Sequence, residues 1–145
     1  MREETNLLNI DKHVARFEEL SALQEEAPTA WQLIGKVIAR KGWNRAVFCK
    51  RSLLDEAIYY KAKRGDDTPP SLHTLMAVCV GMDLDMPATE ELLAAAGYKF
   101  SKAIPLHRAY MYIIGHLAGQ PVHVRNEFLK RLRINELGSQ NYLGK

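Results

Sequence analysis

Lysine and arginine side chains, gathered in one stretch of the sequence, are the groups best suited to bind a ligand in this 145-residue chain. Residues 31–65 hold nine of these bases against two acids, which gives the stretch a net charge of +7. A local basic surface binds polyanions, because each cation that meets a phosphate releases counterions. A basic face that is merely solvated fits the same composition, so charge alone leaves both interpretations open.

The stretches around this basic one alternate in sign. Residues 1–30 carry three bases and seven acids (net −4), residues 66–97 six acids and no base (−6), and residues 98–145 eight bases and two acids (+6). The net charge of the whole chain is only +3. The distribution of charge is therefore more informative about a binding partner than its total.

Groups that could act as catalysts or metal ligands show no pattern typical of an active site. Neither a GxSxG nor a GxxxxGK run is present, and no HExxH motif occurs. Cys49 and Cys79 form no CxxC pair and lie in apolar helical patterns, which favours two buried, reduced thiols. Surface or capping roles are favoured for the histidines, which are His13, His73, His107, His116 and His123. We expect no enzyme, no metal and no cofactor.

Apolar spacing predicts an all-α chain without a membrane span. No run of eighteen apolar residues occurs, and the charged start Arg2-Glu3-Glu4 is followed by no apolar stretch of the kind found in secretory signals. The length suits one hydrophobic core. We therefore expect a cytoplasmic protein that does not enter a membrane.

The basic stretch contains two short predicted helices joined by a tight turn. Gly42 is suited to end a preceding helix in the left-handed conformation, and Asn44 is suited to cap a new one. Ser52-Leu53-Leu54 interrupts that helix. Asp55 then offers a second N-cap and Gly65 a second stop, so the second helix has about ten residues.

This segment resembles the helix-turn-helix of the lambda-repressor/Cro-like (Xre) family, which it matches without a gap from Gly42 to Ala62. The resemblance continues through Pro69 to Leu75 and Leu92 to Tyr98, which are similar to that family's fourth and fifth helices. It implies a five-helix DNA-binding domain over residues 28–98, with an extra amphipathic helix at 1–27 and a helical C-terminal extension at 99–145. In such a domain the second helix of the motif enters the major groove.

Carried over residue by residue, the resemblance implies a set of DNA contacts. Arg45 matches the position that clamps a phosphate at the start of the first helix, and Arg64 would meet a phosphate at the groove edge. Lys63 falls on a flank. The full implied set is Arg45, Glu56, Ala57, Tyr60, Lys61 and Arg64.

Two features depart from the family pattern. Leu53 stands in the turn where glycine or a small residue is usual, which indicates an altered turn or an extra core contact. Asp55 and Glu56 place two carboxylates at the tip of the recognition helix. For Asp55 a helix cap is favoured over base readout. Two roles stay equally open for Glu56. Its carboxylate would either stabilise the helix dipole or accept a hydrogen bond from the amino group of a cytosine.

The two ends of the chain are also predicted to be helical. Residues 1–27 carry Ile10, Val14, Phe17, Leu20 and Gln24 at helical spacing on an acidic helix, whose stripe would cover its own domain, a second copy or another protein. Packing on its own domain is the commonest outcome. Two further helices are expected at Pro105 to Leu117 and Val122 to Ile134, followed by a tail from Glu136 that frays. The stretch from Asn126 to Gly138 resembles the extension of a subgroup of the family.

These patterns predict a sequence-specific regulator of transcription that binds the major groove of double-stranded DNA as a homodimer on a two-fold site. A helical interaction module that kept the fold and lost DNA is the alternative, using its N-terminal or C-terminal helices for a protein partner. An antitoxin-like regulator would do both. A continuous positive face joining Arg45, Lys61 and Arg64 would favour DNA, whereas screening by Asp55, Glu56 and the N-terminal helix would favour the module.

Overall fold

Eight helices form the described part of the chain, which in the computed structural model comprises residues 2–24 and 27–139. Those residues contain no strand, which confirms the all-α prediction for them. None of these helices is long and apolar enough to cross a membrane. The helices are α1 (Arg2–Gln24), α2 (Ala30–Lys41), α3 (Arg45–Ser52), α4 (Glu56–Arg64), α5 (Leu72–Gly81), α6 (Met86–Ala95), α7 (Pro105–Gly115) and α8 (Val122–Arg131).

Local capping signals determine where the central helices begin and end. Thr29 and Gln32 form a reciprocal capping box at the start of α2, which satisfies two backbone N–H groups. Gly42 ends α2 in the left-handed conformation (φ 67°). The Asn44 side chain accepts from the N–H of Val47, 2.9 Å away, and so caps α3 as predicted. Gly65 ends α4 with φ 63°.

A single buried cluster contains side chains from α2 through α8. Apolar spacing predicts ten buried side chains within residues 30–97, and two of them, Ile58 and Tyr59, are only half-buried, because α4 covers the edge of the core with one face. The ring of Tyr59 packs against that of Phe48, with ring centroids 5.8 Å apart. The predicted side chains that are buried are Trp31, Ile34, Ile38, Phe48, Leu54, Leu75, Cys79 and Leu92.

The two predicted C-terminal helices pack on this core but end earlier than their apolar periodicity indicates. Ile113 of α7 and Leu129 of α8 are fully buried. Helix α8 stops at Arg131 because Arg133 adopts a left-handed conformation (φ 62°), which turns the chain so that Ile134 donates back to the Leu129 carbonyl at 2.9 Å. The predicted end at Ile134 is therefore wrong by three residues.

The apolar stripe of α1 is not covered by its own domain. Ile10 is 56% exposed and Phe17 is 67% exposed, and Val14 and Leu20 are exposed as well. The expectation that this helix packs on its own domain is therefore wrong. The periodicity of an amphipathic helix shows that it needs an apolar surface, and it does not show which molecule supplies that surface.

Replacing Gly35 with alanine should destabilise the contact between α2 and α4. A Cβ at Gly35 would lie 2.6 Å from the carbonyl oxygen of Ala62, so α4 would have to shift. We expect a loss of about 1–3 kcal/mol in the free energy of unfolding, measured by chemical denaturation. Gly115→Ala is the matched control, because no atom lies within 4 Å of a Cβ there. Equal effects of the two substitutions would contradict the close approach of α2 and α4.

Candidate nucleic-acid interface

The turn between α3 and α4 has an unusual backbone conformation. Leu53 adopts the left-handed region (φ 59°), which accounts for the expectation of glycine at this position. Its N–H donates to the Cys49 carbonyl at 2.9 Å. The buried Ser52 hydroxyl donates to the Phe48 carbonyl at 2.8 Å and accepts from the N–H of Leu54 at 3.3 Å. Hydrogen bonds from Leu53, Ser52 and Leu54 therefore hold the turn through which the chain leaves α3 and enters α4.

A second segment holds this turn from the C-terminal end of the described chain. The N–H of Ser139 donates to the Leu53 carbonyl at 2.6 Å, and the N–H of Asp55 donates to the Ser139 hydroxyl at 3.1 Å. Gly138 permits the approach, because a Cβ there would lie 2.7 Å from the Leu53 carbonyl oxygen. We call residues 137–139 the clasp.

Asn126 of α8 fastens the clasp. Its Oδ1 accepts from the N–H of Leu137 at 2.7 Å, and its Nδ2 donates to the Leu137 carbonyl at 2.9 Å. Leu137 is fully buried. The prediction that the tail frays from Glu136 is therefore wrong for residues 136–139, because buried hydrogen bonds and an apolar anchor hold them. Residues 140–145 lie outside the described part of the chain.

Asp55 occupies the N-cap position of α4, but its side chain makes no capping hydrogen bond, so the predicted cap is wrong in this respect. Its backbone is held instead by the clasp, and its carbonyl accepts from the N–H of Ile58 at 3.2 Å. The Oδ1 atom of Asp55 is buried without a hydrogen-bond partner. The first turn of α4 is therefore held through the main chain of Asp55 and not through its side chain.

Helix α4 presents one open face to solvent. Glu56, Ala57 and Tyr60 are exposed, whereas Ala62 on the opposite side is buried. Lys61 is half-buried and its ammonium lies 6.0 Å from the ring centroid of Trp31, toward α2. The structure thus brings three of the predicted contact residues onto the open face and places Lys61 at its flank.

Arg45 links α3 to this face. Its Nη1 lies 3.2 Å from the Glu56 carboxylate and 3.2 Å from the Tyr60 hydroxyl. The hydrogen bond to Tyr60, followed by the charges of Tyr60 and Glu56, raises the pKa of Arg45. Both members of the ion pair are more than half exposed (53% and 63%), so the pair contributes little to stability.

Carboxylates screen two of the predicted cations. Glu56 pairs with Arg45, and Asp66 lies 3.5 Å from Nη2 of Arg64. Lys61 lies toward Trp31. In this conformation Arg45, Lys61 and Arg64 do not form one continuous positive face.

Lys63 was assigned to a flank from the sequence, and the structure places it beside Arg45. The two cations line a shallow cleft of 500 Å³ between the start of α3 and the side of α4, together with Asn44 and Tyr60. The signal was present in the spacing, because residues 56, 60 and 63 recur on one side of a helix. The cleft therefore contains two cations, a capping side chain and the phenols of Tyr59 and Tyr60.

Among the described residues, no group of three or more histidine, cysteine, aspartate or glutamate side chains is placed to hold a metal ion. Burial raises the pKa of Cys79 to about 12, so its thiol stays protonated.

The candidate interface therefore consists of the open face of α4 and the cleft between α4 and the start of α3. No protein-family model, curated protein or solved structure matches this chain.

Proposed function

We propose that this chain is a sequence-specific regulator of transcription of the Xre type, which binds double-stranded DNA through α3 and α4. In this proposal, α2 to α6 form the five-helix lambda-repressor-like domain and α4 enters the major groove. The observation that carries the proposal is the open face of α4, which is held at a fixed angle to α3 by the Leu53 turn and its clasp. A rigid turn supports recognition because both helices then approach DNA as one unit.

The ion pair between Arg45 and Glu56 is consistent with DNA binding because it can be exchanged. An exposed pair of this kind stabilises a protein by only about 0–1 kcal/mol. A DNA phosphate at the cleft would replace Glu56 as the partner of Arg45, with Lys63 as a second cation. Glu56 would then be released from Arg45 and could accept a hydrogen bond from the amino group of a cytosine.

The remaining roles follow from position on α4. Ala57 and Tyr60 face the base edges beside Glu56, where a short apolar group and a phenol make different contacts. Arg64 is 60% exposed and would bind a phosphate at the edge of the groove. Lys61 would approach the backbone from the Trp31 side. No cofactor is required for these contacts.

A helical interaction module is the second candidate, and the screening of Arg45 and Arg64 by carboxylates favours it. In that case the exposed Glu56 and the uncovered stripe of α1 would contact a protein. An antitoxin-like regulator would combine both surfaces.

Selection from a randomised DNA duplex pool tests the first proposal, and a contrast between variants sharpens the test. Lys63→Ala and Arg64→Ala should weaken binding about equally on all sequences and reduce the salt slope by about one unit, because each removes a phosphate contact. Tyr60→Ala should lose about 1–3 kcal/mol of discrimination at particular base pairs and leave the slope nearly unchanged.

Lys99→Ala is the matched control, since Lys99 is exposed and lies outside α3 and α4. Its removal should leave both affinity and salt slope unchanged. Absence of salt-dependent binding of the wild-type protein to any duplex at low ionic strength would reject the DNA proposal, and the interaction module would then lead.

A further inference from the structure

The apolar stripe of α1 is wide as well as exposed. Ile10, Val14 and Phe17 form its centre, and Leu20 and Leu23 extend it around one side, with exposed fractions between 46% and 69%. At 3.6 residues per turn these five side chains span roughly half of the helix circumference, an arc that also contains His13 and Arg16. A two-stranded coiled coil needs only a narrow seam, whereas a stripe of this width suits a groove between two helices.

A groove of that kind lies between α7 and α8. It has a volume of 440 Å³ and exposes Leu106 (37%), Tyr112 (43%) and Leu132 (50%). Two stacked rings form its floor, because the ring centroids of Tyr112 and Phe128 lie 5.0 Å apart. We call this feature the α7–α8 groove. The same chain therefore has two uncovered apolar surfaces, one convex and one concave.

The charges beside these two surfaces are opposite along one edge of the stripe. Arg108 lines the α7–α8 groove, and exposed Arg131 precedes Leu132 at its end. Between residues 104 and 134 the sequence contains one acid, Glu127, which pairs with Arg131 at 3.1 Å. Along one edge of the α1 stripe, acids recur seven residues apart at positions 11 and 18. An acidic helix edge would thus meet a basic groove rim.

We propose that α1 of each molecule lies in the α7–α8 groove of a second copy, so that two chains exchange their N-terminal helices. A two-fold dimer of this kind makes the contact twice and covers both apolar surfaces of each chain. Pairing of α1 with a second α1 would leave the groove open. The exchange does not depend on DNA, although a two-fold dimer agrees with the two-fold site of the proposed function.

Sedimentation of the full chain without DNA provides the first test. The wild-type protein should sediment as a dimer, and Phe17→Glu and Leu132→Glu should each raise the dimer dissociation constant at least tenfold, because each places a charge in the contact. Ala15→Glu is the matched control, since it adds the same charge to an exposed position on the other side of α1. Circular dichroism verifies that each variant stays helical. A monomeric wild-type protein, or equal effects of Ala15→Glu and Phe17→Glu, would overturn the proposal.

Cross-linking identifies the occupant of the groove. Phe17→Cys and Leu132→Cys are prepared separately, mixed and treated with a flexible bis-maleimide, while Cys49 and Cys79 stay buried. The proposal expects a covalent dimer that contains one chain of each variant. Linkage of Phe17→Cys only to itself would indicate paired α1 helices and overturn the proposal. In a chain that carries both Phe17→Cys and Leu132→Cys, linkage only within single chains would overturn it too. Because no DNA is present, neither result bears on DNA binding.

Discussion

Replacement of Arg125 by methionine should lower the free energy of unfolding by about 2–4 kcal/mol. The Arg125 side chain is fully buried, and its Nε and Nη1 donate to the carbonyls of Gln120 (2.8 Å) and Ile113 (3.1 Å). Its Nη2 lies 2.6 Å from the Asp83 carboxylate. Methionine fills similar space and removes the donor that Arg125 supplies to the two carbonyls. Chemical denaturation measures the loss.

Arg131→Met on the same helix is the matched control. Arg131 is 80% exposed and pairs only with Glu127 at the surface, so its replacement should change stability by no more than about 0.5 kcal/mol. A similar loss for the two substitutions would contradict a role for the buried guanidinium.

The effect of Arg125→Met should depend on pH through Asp83. The N–H of Gly119 is the largest cause that lowers the pKa of Asp83, and Arg125 lowers it further. A carboxyl whose folded pKa lies below its unfolded value, about 3.9, stabilises the fold above that value. This contribution is lost as the pH falls through the folded pKa. The difference between wild type and variant should therefore be constant above about pH 5 and narrow in more acidic solution.

Replacement of Asn126 by alanine should cost about 2–4 kcal/mol and should loosen the α3–α4 turn. The substitution removes both hydrogen bonds to Leu137 and leaves its buried N–H and C=O without partners. The clasp would then lose its anchor. Hydrogen exchange should accelerate at the N–H of Asp55, which the clasp protects.

Two further substitutions test this prediction. Asn126→Asp keeps an acceptor for the N–H of Leu137, but it loses the donor to the Leu137 carbonyl and buries a carboxylate, so at neutral pH it should destabilise the fold at least as much as Asn126→Ala. Glu127→Ala, at the next position and exposed, should leave both stability and exchange nearly unchanged. Unchanged exchange at Asp55 in Asn126→Ala would show that the clasp does not control the turn.

Local signals predicted the central helices well because their causes lie within a few residues. Asn44 caps a helix that starts at the next position, and Gly42 and Gly65 end helices through their own backbone conformation. The clasp could not be predicted in this way. It joins Ser139 to a turn 84 residues earlier, and nothing in the composition of the tail marks that contact.

Helical periodicity predicted which residues of α4 face outward at the candidate interface. It predicted the contacts between those residues less well. The outward positions of α4 follow from helical periodicity, and Glu56, Ala57 and Tyr60 are exposed. The pairing of Arg45 with Glu56 depends on how two helices cross, which periodicity does not describe. The same limit applies to α1, whose pattern indicates an apolar stripe without its partner.

The clasp also determines the order in which the motif can become native. The hydrogen bonds of Ser139 close a loop of 84 residues, whereas the bonds of each short helix join neighbours in sequence, so we expect the contacts of Ser139 to form late in folding. During synthesis, α3 and α4 leave the ribosome long before residues 137–139 exist. An incomplete chain would contain every residue of both helices and still lack the contacts that fix the turn between them.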